Sequence, residues 1–214
     1  MSVLTRFKAA QLRKPFGIYG RRFLPKYLDR LNAQVNEHTL ASLGLGPDDR
    51  VIEVGFGSGD LIDRMTSVVT RGRIVGVDYS SEMVYVCTKR FSQLIDQGMI
   101  QLRCADAESL PYESDSFARA CTVNTIYFWQ DPSIALGELH RVLKADGRLV
   151  VSFSPRARLQ DPPVTRHGFN LYDPEQVRDL LEDVGFIDVE LRPGVGPRGE
   201  FMSAIATKDR QTRQ

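Results

Sequence analysis

The chain alternates between short β-branched runs and longer stretches whose apolar residues recur at helical spacing. Residues 51–54 form the first such run, and Leu61, Ile62, Met65, Val68 and Val69 follow it with helical periodicity. A second strand is predicted over 73–77, then a helix capped by Ser80 that runs to about Asp96 and is closed by Gly98. Third and fourth strands are predicted over 99–104 and 117–123. A helix over 132–144 carries Ile134, Leu136, Leu139, Val142 and Leu143, and Asp146-Gly147 turns into a fifth strand over 148–153.

The two ends of the chain depart from this alternation. Residues 19–43 read as helical, with Tyr27, Leu28, Leu31, Val35 and Leu40 facing inward, and Gly44 with Pro47 stops them. Residues 154–171 hold three prolines, Arg156, Arg158, Arg166 and His167 without a clear period, as expected of a loop over a site. Asp173 and Pro174 start a helix that ends at Gly185. Strands over 186–191 and 201–207, joined by 192–200, then form a hairpin-like pair that puts one antiparallel strand in an otherwise parallel sheet. The predicted fold is α/β and doubly wound, with right-handed crossovers and helices on both faces. Its organisation is a basic arm with helices over 1–44, a domain over 45–207 with a lid-like loop over 155–171, and a polar tail over 208–214.

Composition adds little except at the N-terminus. A hydrophobic fraction of 42% and a charged fraction of 26% are ordinary for a globular protein. With neither a bilayer-length apolar run nor a signal peptide in view, the expectation is a cytoplasmic protein. Cys87, Cys104 and Cys121 lack metal-ligand spacing and read as buried free thiols. The net charge of +1 hides eight bases against one acid in residues 1–30. Val3, Leu4, Phe7 and Ala10 there have helical spacing, so the arm is expected either to touch a membrane surface or to pack over the domain and its ligand.

The chemistry is concentrated where the first strand breaks into Gly55-Phe56-Gly57-Ser58-Gly59-Asp60. Glycine admits backbone angles closed to other residues and lets a ligand lie on the main chain. The dinucleotide fingerprint needs a third glycine where Asp60 stands, and Glu53 adds a second acid that would repel a pyrophosphate but suits a cation. That disfavours a nicotinamide-dependent oxidoreductase. The stretch from Glu53 to Gly59 resembles the first motif of class I S-adenosylmethionine-dependent methyltransferases. Gly76-Val77-Asp78, Ala105-Asp106-Ala107, the 138–147 segment and the closing hairpin extend the resemblance across residues 45–207, and it is nearest to the ubiquinone/menaquinone-methyltransferase-like group.

That resemblance implies a Rossmann-like seven-stranded sheet, mostly parallel with the last strand antiparallel, and S-adenosyl-L-methionine as cofactor with S-adenosyl-L-homocysteine as product. It implies backbone approach to the cofactor at Gly55, Phe56, Gly57 and Gly59, with Glu53 near the amino-acid moiety and Asp78 on the ribose hydroxyls. Tyr79 and Met83 would pack on the adenine, Asp106 and Ala107 would meet its edge, and Asn124 would stand beside the reactive methyl. His167 is the candidate general base. Tyr19, Tyr127, Trp129 and Tyr172 are candidate walls of a substrate pocket. Asn124 stands where a magnesium-holding methyltransferase would carry an acid, so no catalytic metal is expected. The expected substrate is a small, anionic, aromatic or lipid-like molecule rather than nucleic acid. A cofactor-binding protein without methyltransferase activity, or a peripheral lipid or quinone methyltransferase, are the alternatives.

Overall fold

A computed structural model describes residues 3–210. Seven strands form one sheet: β1 (Arg50–Val54), β2 (Arg73–Asp78), β3 (Ile100–Cys104), β4 (Phe117–Val123), β5 (Leu143–Phe153), β6 (Phe186–Gly196) and β7 (Gly199–Lys208). Their order is β3-β2-β1-β4-β5-β7-β6, with β3, β2, β1, β4 and β5 mutually parallel and β7 antiparallel to both neighbours. The order reverses direction at β1, so β1 and β4 flank the switch point at which open sheets of this kind bind ligands.

Alternate residues of each buried strand serve opposite layers. Ile52, Val54, Val75 and Val77 join a core with α7 (Pro132–Val142) and α9 (Pro174–Asp183), through Leu136, Leu139, Val177 and Leu181. Val51, Cys121 and Val150 face a second core built from α3 (Leu24–Leu43), α4 (Asp60–Met65) and α5 (Ser81–Arg90). The predicted caps are in place. Ser80 accepts from the Met83 amide, Asp173 forms a capping box with Gln176, and Gly44 ends α3 with a positive φ of 59°.

Several boundaries differ from expectation, each for a local reason. The helix expected over 80–96 breaks at Phe91, leaving α6 (Ser92–Asp96), because the Phe91 ring turns inward beneath Gly59. Phe23 likewise separates α2 (Gly17–Arg22) from α3. Tyr27, expected inward, is 49% exposed. α7 stops at Val142, and β5 begins there with a register irregularity that absorbs Asp146 at φ 59°. The closing hairpin is longer than predicted: residues 192–196 continue β6, so the turn is only Pro197-Arg198. Lys208, assigned to the tail, is a buried strand residue whose ammonium donates to Asp115 at 2.9 Å and to the Leu143 carbonyl at 2.7 Å; residues 211–214 of that tail lie outside the described residues. Cys104 is exposed, whereas Cys87 and Cys121 are buried free thiols.

The arm is helical in α1 (Val3–Arg13). Ala9 and Gln11 are buried, while Val3, Phe7 and Ala10 face out. Gln11 closes the turn into α2 by exchanging hydrogen bonds with the Phe16 backbone, donating at 3.0 Å and accepting at 3.1 Å. A polar residue therefore holds the inner face that an apolar pattern could not mark. The proline-rich segment that follows β5 is also ordered into α8 (Arg156–Leu159) and a short 3-10 turn, Pro163–Arg166.

Candidate active site

A cavity of about 280 Å³ opens at the carboxyl ends of the strands, roofed by the N-terminal helices. Leu12, Arg13 and Pro15 reach it from the α1–α2 region, and Leu28, Leu31 and Asn32 from α3. Of the residues singled out in the sequence, Glu53, Gly55, Phe56, Gly57, Asp78, Tyr79, Asp106, Ala107, Asn124, Tyr127 and Trp129 line it. Gly59, Met83, Tyr19, Tyr172 and His167 are not among the lining residues.

The three glycines have different tasks. A Cβ on Gly55, whose φ is 79°, would stand 2.1 Å from the Thr125 methyl, so this glycine lets the first turn pass the loop after β4. A Cβ on Gly59 would meet the Phe91 ring at 2.7 Å and the Cys87 sulfur at 3.0 Å, which makes it a packing glycine at the start of α4. Gly55 and Gly57 both line the cavity, but only around Gly57 is there open space, with nothing nearer to such a Cβ than Leu28 at 3.9 Å. That space leaves room for a ligand to lie against the main chain.

Acids dominate this end. Glu53 is 2% exposed, and its Oε2 has no hydrogen-bond partner. Burial first, then the carboxylates of Asp78 and Asp60, push its pKa up from 4.5 to about 8. Asp78 is also raised, to about 6, by burial, against the opposing effect of two backbone amides. Those amides are Ser80 and Gly57, each donating to the carboxylate at 2.8 Å. Asp60 is held by the Asn36 amide at 2.9 Å and Arg64 at 2.7 Å. Asp106 caps its own turn by accepting from the Glu108 amide at 3.1 Å. A buried carboxylate oxygen without a partner, facing an open backbone turn, fits a ligand that brings a cation and tolerates close main-chain contact.

The loop after β4 forms the cavity's middle. Asn124 has a positive φ of 56° and is clamped: it donates to Asn32 of α3 at 3.1 Å and accepts from the Tyr127 hydroxyl at 2.9 Å. Burial raises the Tyr127 phenol well above its ordinary pKa, so it stays protonated as a donor. Beside it the Phe128 and Phe169 rings meet edge to face at 4.6 Å. Asn170 ties the proline-rich segment to this loop, donating to the Tyr127 carbonyl at 2.9 Å and the Trp129 carbonyl at 3.2 Å.

The candidates that do not line the cavity lie elsewhere in the fold. Met83 is fully buried in the core beneath α5, and Tyr19 is 42% exposed on α2, edge to face with Phe7 at 5.9 Å. Tyr172 packs on the opposite core from beside α9. His167 ends the 3-10 turn, its amide bonded to the Val164 carbonyl at 3.3 Å. Arg158, read from the sequence only as one base of a loop over the site, lines the cavity, as do Arg198, Asn32, Phe128 and Phe169, which were not assigned to the site from the sequence. Asn32 and Arg198 enter only through α3 and the hairpin turn, elements far away along the chain.

Residues 52–151 match the methyltransferase domain family. Over those residues, just under half of its length, the chain carries a methyltransferase domain of the S-adenosylmethionine-dependent kind. This methyltransferase is 23% identical over 161 residues to the uncharacterized methyltransferase YdaC of Bacillus subtilis, covering 75% of the chain and 84% of that protein. It is 29% identical over 150 residues to the ubiquinone/menaquinone biosynthesis C-methyltransferase UbiE of Citrifermentans bemidjiense, covering 67% of the chain but only 63% of that enzyme. A solved S-adenosylmethionine-dependent methyltransferase from Aquifex aeolicus shares the fold with a TM-score of 0.71 at 22% identity, over 86% of this chain and 96% of that one. S-adenosylmethionine is the cofactor of the family, and the acid-lined end of the cavity matches its cationic character.

Proposed function

We propose that this methyltransferase acts on a small organic acceptor held between the loop after β4 and the proline-rich segment, under the N-terminal helices. The observation that carries this reading is the roofed cavity itself. Its acids lie over β1, β2 and β3, and its aromatic wall of Tyr127, Phe128, Trp129 and Phe169 lies beyond Asn124. A roof of α1 and α3 favours a molecule that fits inside over a polymer that must lie across the mouth.

The proposed division of labour follows from the geometry. Glu53 would receive the ammonium of the cofactor, its unpartnered oxygen gaining the bond it lacks. The Gly57 turn would lie against the cofactor's methionyl and ribosyl portions, and Asp78, oriented by the Gly57 and Ser80 amides, would accept from the ribose hydroxyls. Tyr79 and the Asp106-Ala107 turn would border the adenine. When bound, the sulfonium supplies a methyl group already activated for in-line displacement. The chain's contribution is then orientation and exclusion of water, for which the clamped Asn124 and the roof are suited. No histidine lines the cavity, and Tyr127 holds its proton, so these groups favour an acceptor that arrives as a ready nucleophile.

The test is incubation with radiolabelled S-adenosylmethionine and a panel of aromatic acids, quinones and lipids. Label in an extractable small molecule supports the reading. Tight S-adenosylhomocysteine binding without transfer to any of them would favour a cofactor-binding protein that does not methylate.

A lipid-embedded acceptor is a second reading, favoured by one surface. Val3, Phe7, Phe16, Ile18, Tyr19 and Phe23 are exposed together on α1, α2 and the joint to α3, with Phe7 stacked edge to face on Phe16 at 5.7 Å. Arg6, Lys8, Arg13, Lys14, Arg21 and Arg22 belong to the same segments, a combination that suits an anionic bilayer surface. No helix among the described residues is long and apolar enough to cross a membrane.

A further inference from the structure

The cavity is divided in charge along the sheet. Glu53, Asp78 and Asp106 stand over β1, β2 and the end of β3. On the other side, Arg158 stands on α8, just past β5, and Arg198 stands in the β6–β7 turn. The pairing of Phe153 with Met202 sets that turn beyond the carboxyl end of β5, so both guanidinium groups belong to one rim.

Neither arginine forms an ion pair among the described residues. Arg158 is half-buried and donates to the Ser154 hydroxyl and to the Glu200 carbonyl at 3.3 Å, neutral acceptors both. Arg198 donates to the Tyr27 hydroxyl at 3.0 Å, which brings it under α3. Their neighbour Arg156 behaves otherwise. It is occupied by Asp173 at 3.0 Å, Gln176 at 3.0 Å and the Leu171 carbonyl at 2.6 Å, a structural bracket between α8 and α9. Burial, and secondarily the charge of Arg198, disfavour the protonated form of Arg158, so the two cations repel across a partly desolvated space. An arriving anion would relieve that repulsion and supply the missing counter-charge.

We propose that Arg158 and Arg198 form an oxyanion subsite that binds a carboxylate or phosphate group of the acceptor and directs its other end toward Asn124. The subsite deepens, and rests on, the reading of the cavity as a methyl-transfer site. Phe128 and Phe169 lie along the same cavity, so the acceptor class is an aromatic or unsaturated acid, or a phosphate ester of similar size. A planar guanidinium pair suits such groups because each can donate two parallel hydrogen bonds.

The experiment is titration of the S-adenosylhomocysteine-loaded protein with benzoate, with inorganic phosphate and with neutral benzamide, by calorimetry. The expected result is saturable binding of benzoate or phosphate, whichever oxyanion the pair prefers, at least tenfold tighter than benzamide. Arg198→Gln and Arg158→Gln should each lose tenfold or more of that affinity, while S-adenosylhomocysteine binds as in the wild type. Arg198 is exposed and, among the described residues, hydrogen-bonds only to Tyr27, so its variant remains informative if Arg158→Gln fails to fold. Equal oxyanion binding in the variants, or none by the loaded wild type, overturns the subsite and leaves the methyl-transfer reading standing. Arginine-dependent benzoate binding by a protein that does not bind S-adenosylhomocysteine would support the subsite and defeat that reading.

Discussion

The Asp78 carboxylate accepts the Gly57 amide at 2.8 Å, so the acid at the end of β2 fixes the shape of the turn after β1. One residue thus orients the backbone a ligand would touch while offering its remaining lone pairs to that ligand. Gly57→Ala should cost roughly 1–2 kcal/mol of stability from its positive φ, because the space around it is open. It should weaken S-adenosylhomocysteine binding by more than that. Gly55→Ala carries the same strain plus a collision with Thr125, on the order of 1–3 kcal/mol more. Urea unfolding and calorimetry on the two variants separate a structural glycine from a ligand-facing one; equal cofactor affinity in Gly57→Ala and wild type would contradict the assignment.

Glu53 should make cofactor binding pH-dependent. Its pKa of about 8 leaves the empty site protonated at neutral pH, whereas a cationic ligand prefers the ionised form. Affinity for S-adenosylhomocysteine should therefore rise from pH 6 to pH 8, by at most about tenfold per unit, and Glu53→Gln should flatten the profile. Stability runs the other way. A carboxyl that holds its proton more tightly folded than unfolded stabilises the fold below its ordinary value of 4.5, and that contribution is lost as pH rises through about 8. Ligand-free wild type should lose melting temperature over that interval relative to Glu53→Gln. Parallel melting curves would refute the shift.

The parallel strands and the acids at their ends were legible because each is encoded locally. A β-branched run, a glycine turn and a strand-terminal Asp78 or Asp106 need only their neighbours in sequence to be recognised. An arm packing over the ligand was expected, but which face of α1 turns inward was not legible, for the opposite reason. Gln11 holds the inner face of α1 by hydrogen bonds to the backbone at Phe16, while Val3 and Phe7, which carry the apolar pattern, are exposed. Arg156 and Arg158 look alike in sequence, yet Asp173 occupies the first and nothing anionic meets the second. Arg198 joins the site only because β6 extends to Gly196 and shortens the turn.

The exposed aromatic surface predicts a membrane assay. Cosedimentation with vesicles containing phosphatidylglycerol should retain the wild type at low salt and release it as salt rises, since screening weakens the basic residues' attraction. Phe16→Ser with Phe23→Ser removes two outward rings, 47% and 58% exposed, without opening a core. The double variant should fall from the vesicles by fivefold or more while keeping its melting temperature. Binding that is unchanged in the variant, or absent in the wild type, would remove the lipid reading.

The roof is attached to the cofactor end at a few points. Arg21 pairs with Glu82 of α5, the Ser80 hydroxyl donates to the Pro15 carbonyl at 2.8 Å, and the Lys14 ammonium sits 4.2 Å from the centre of the Tyr79 ring. The Arg21 pair is exposed, so losing it should matter little for global unfolding. Its effect falls on the local opening of α1 and α2. Glu82→Gln should therefore speed hydrogen exchange in residues 3–22 and leave the exchange of β1 and β4 alone. Because the same residues border Tyr79, S-adenosylhomocysteine should slow exchange in that segment in both proteins. Exchange in 3–22 that ignores both the substitution and the ligand would mean the arm is held from elsewhere, by the packing of α1 on the Pro163–Arg166 turn.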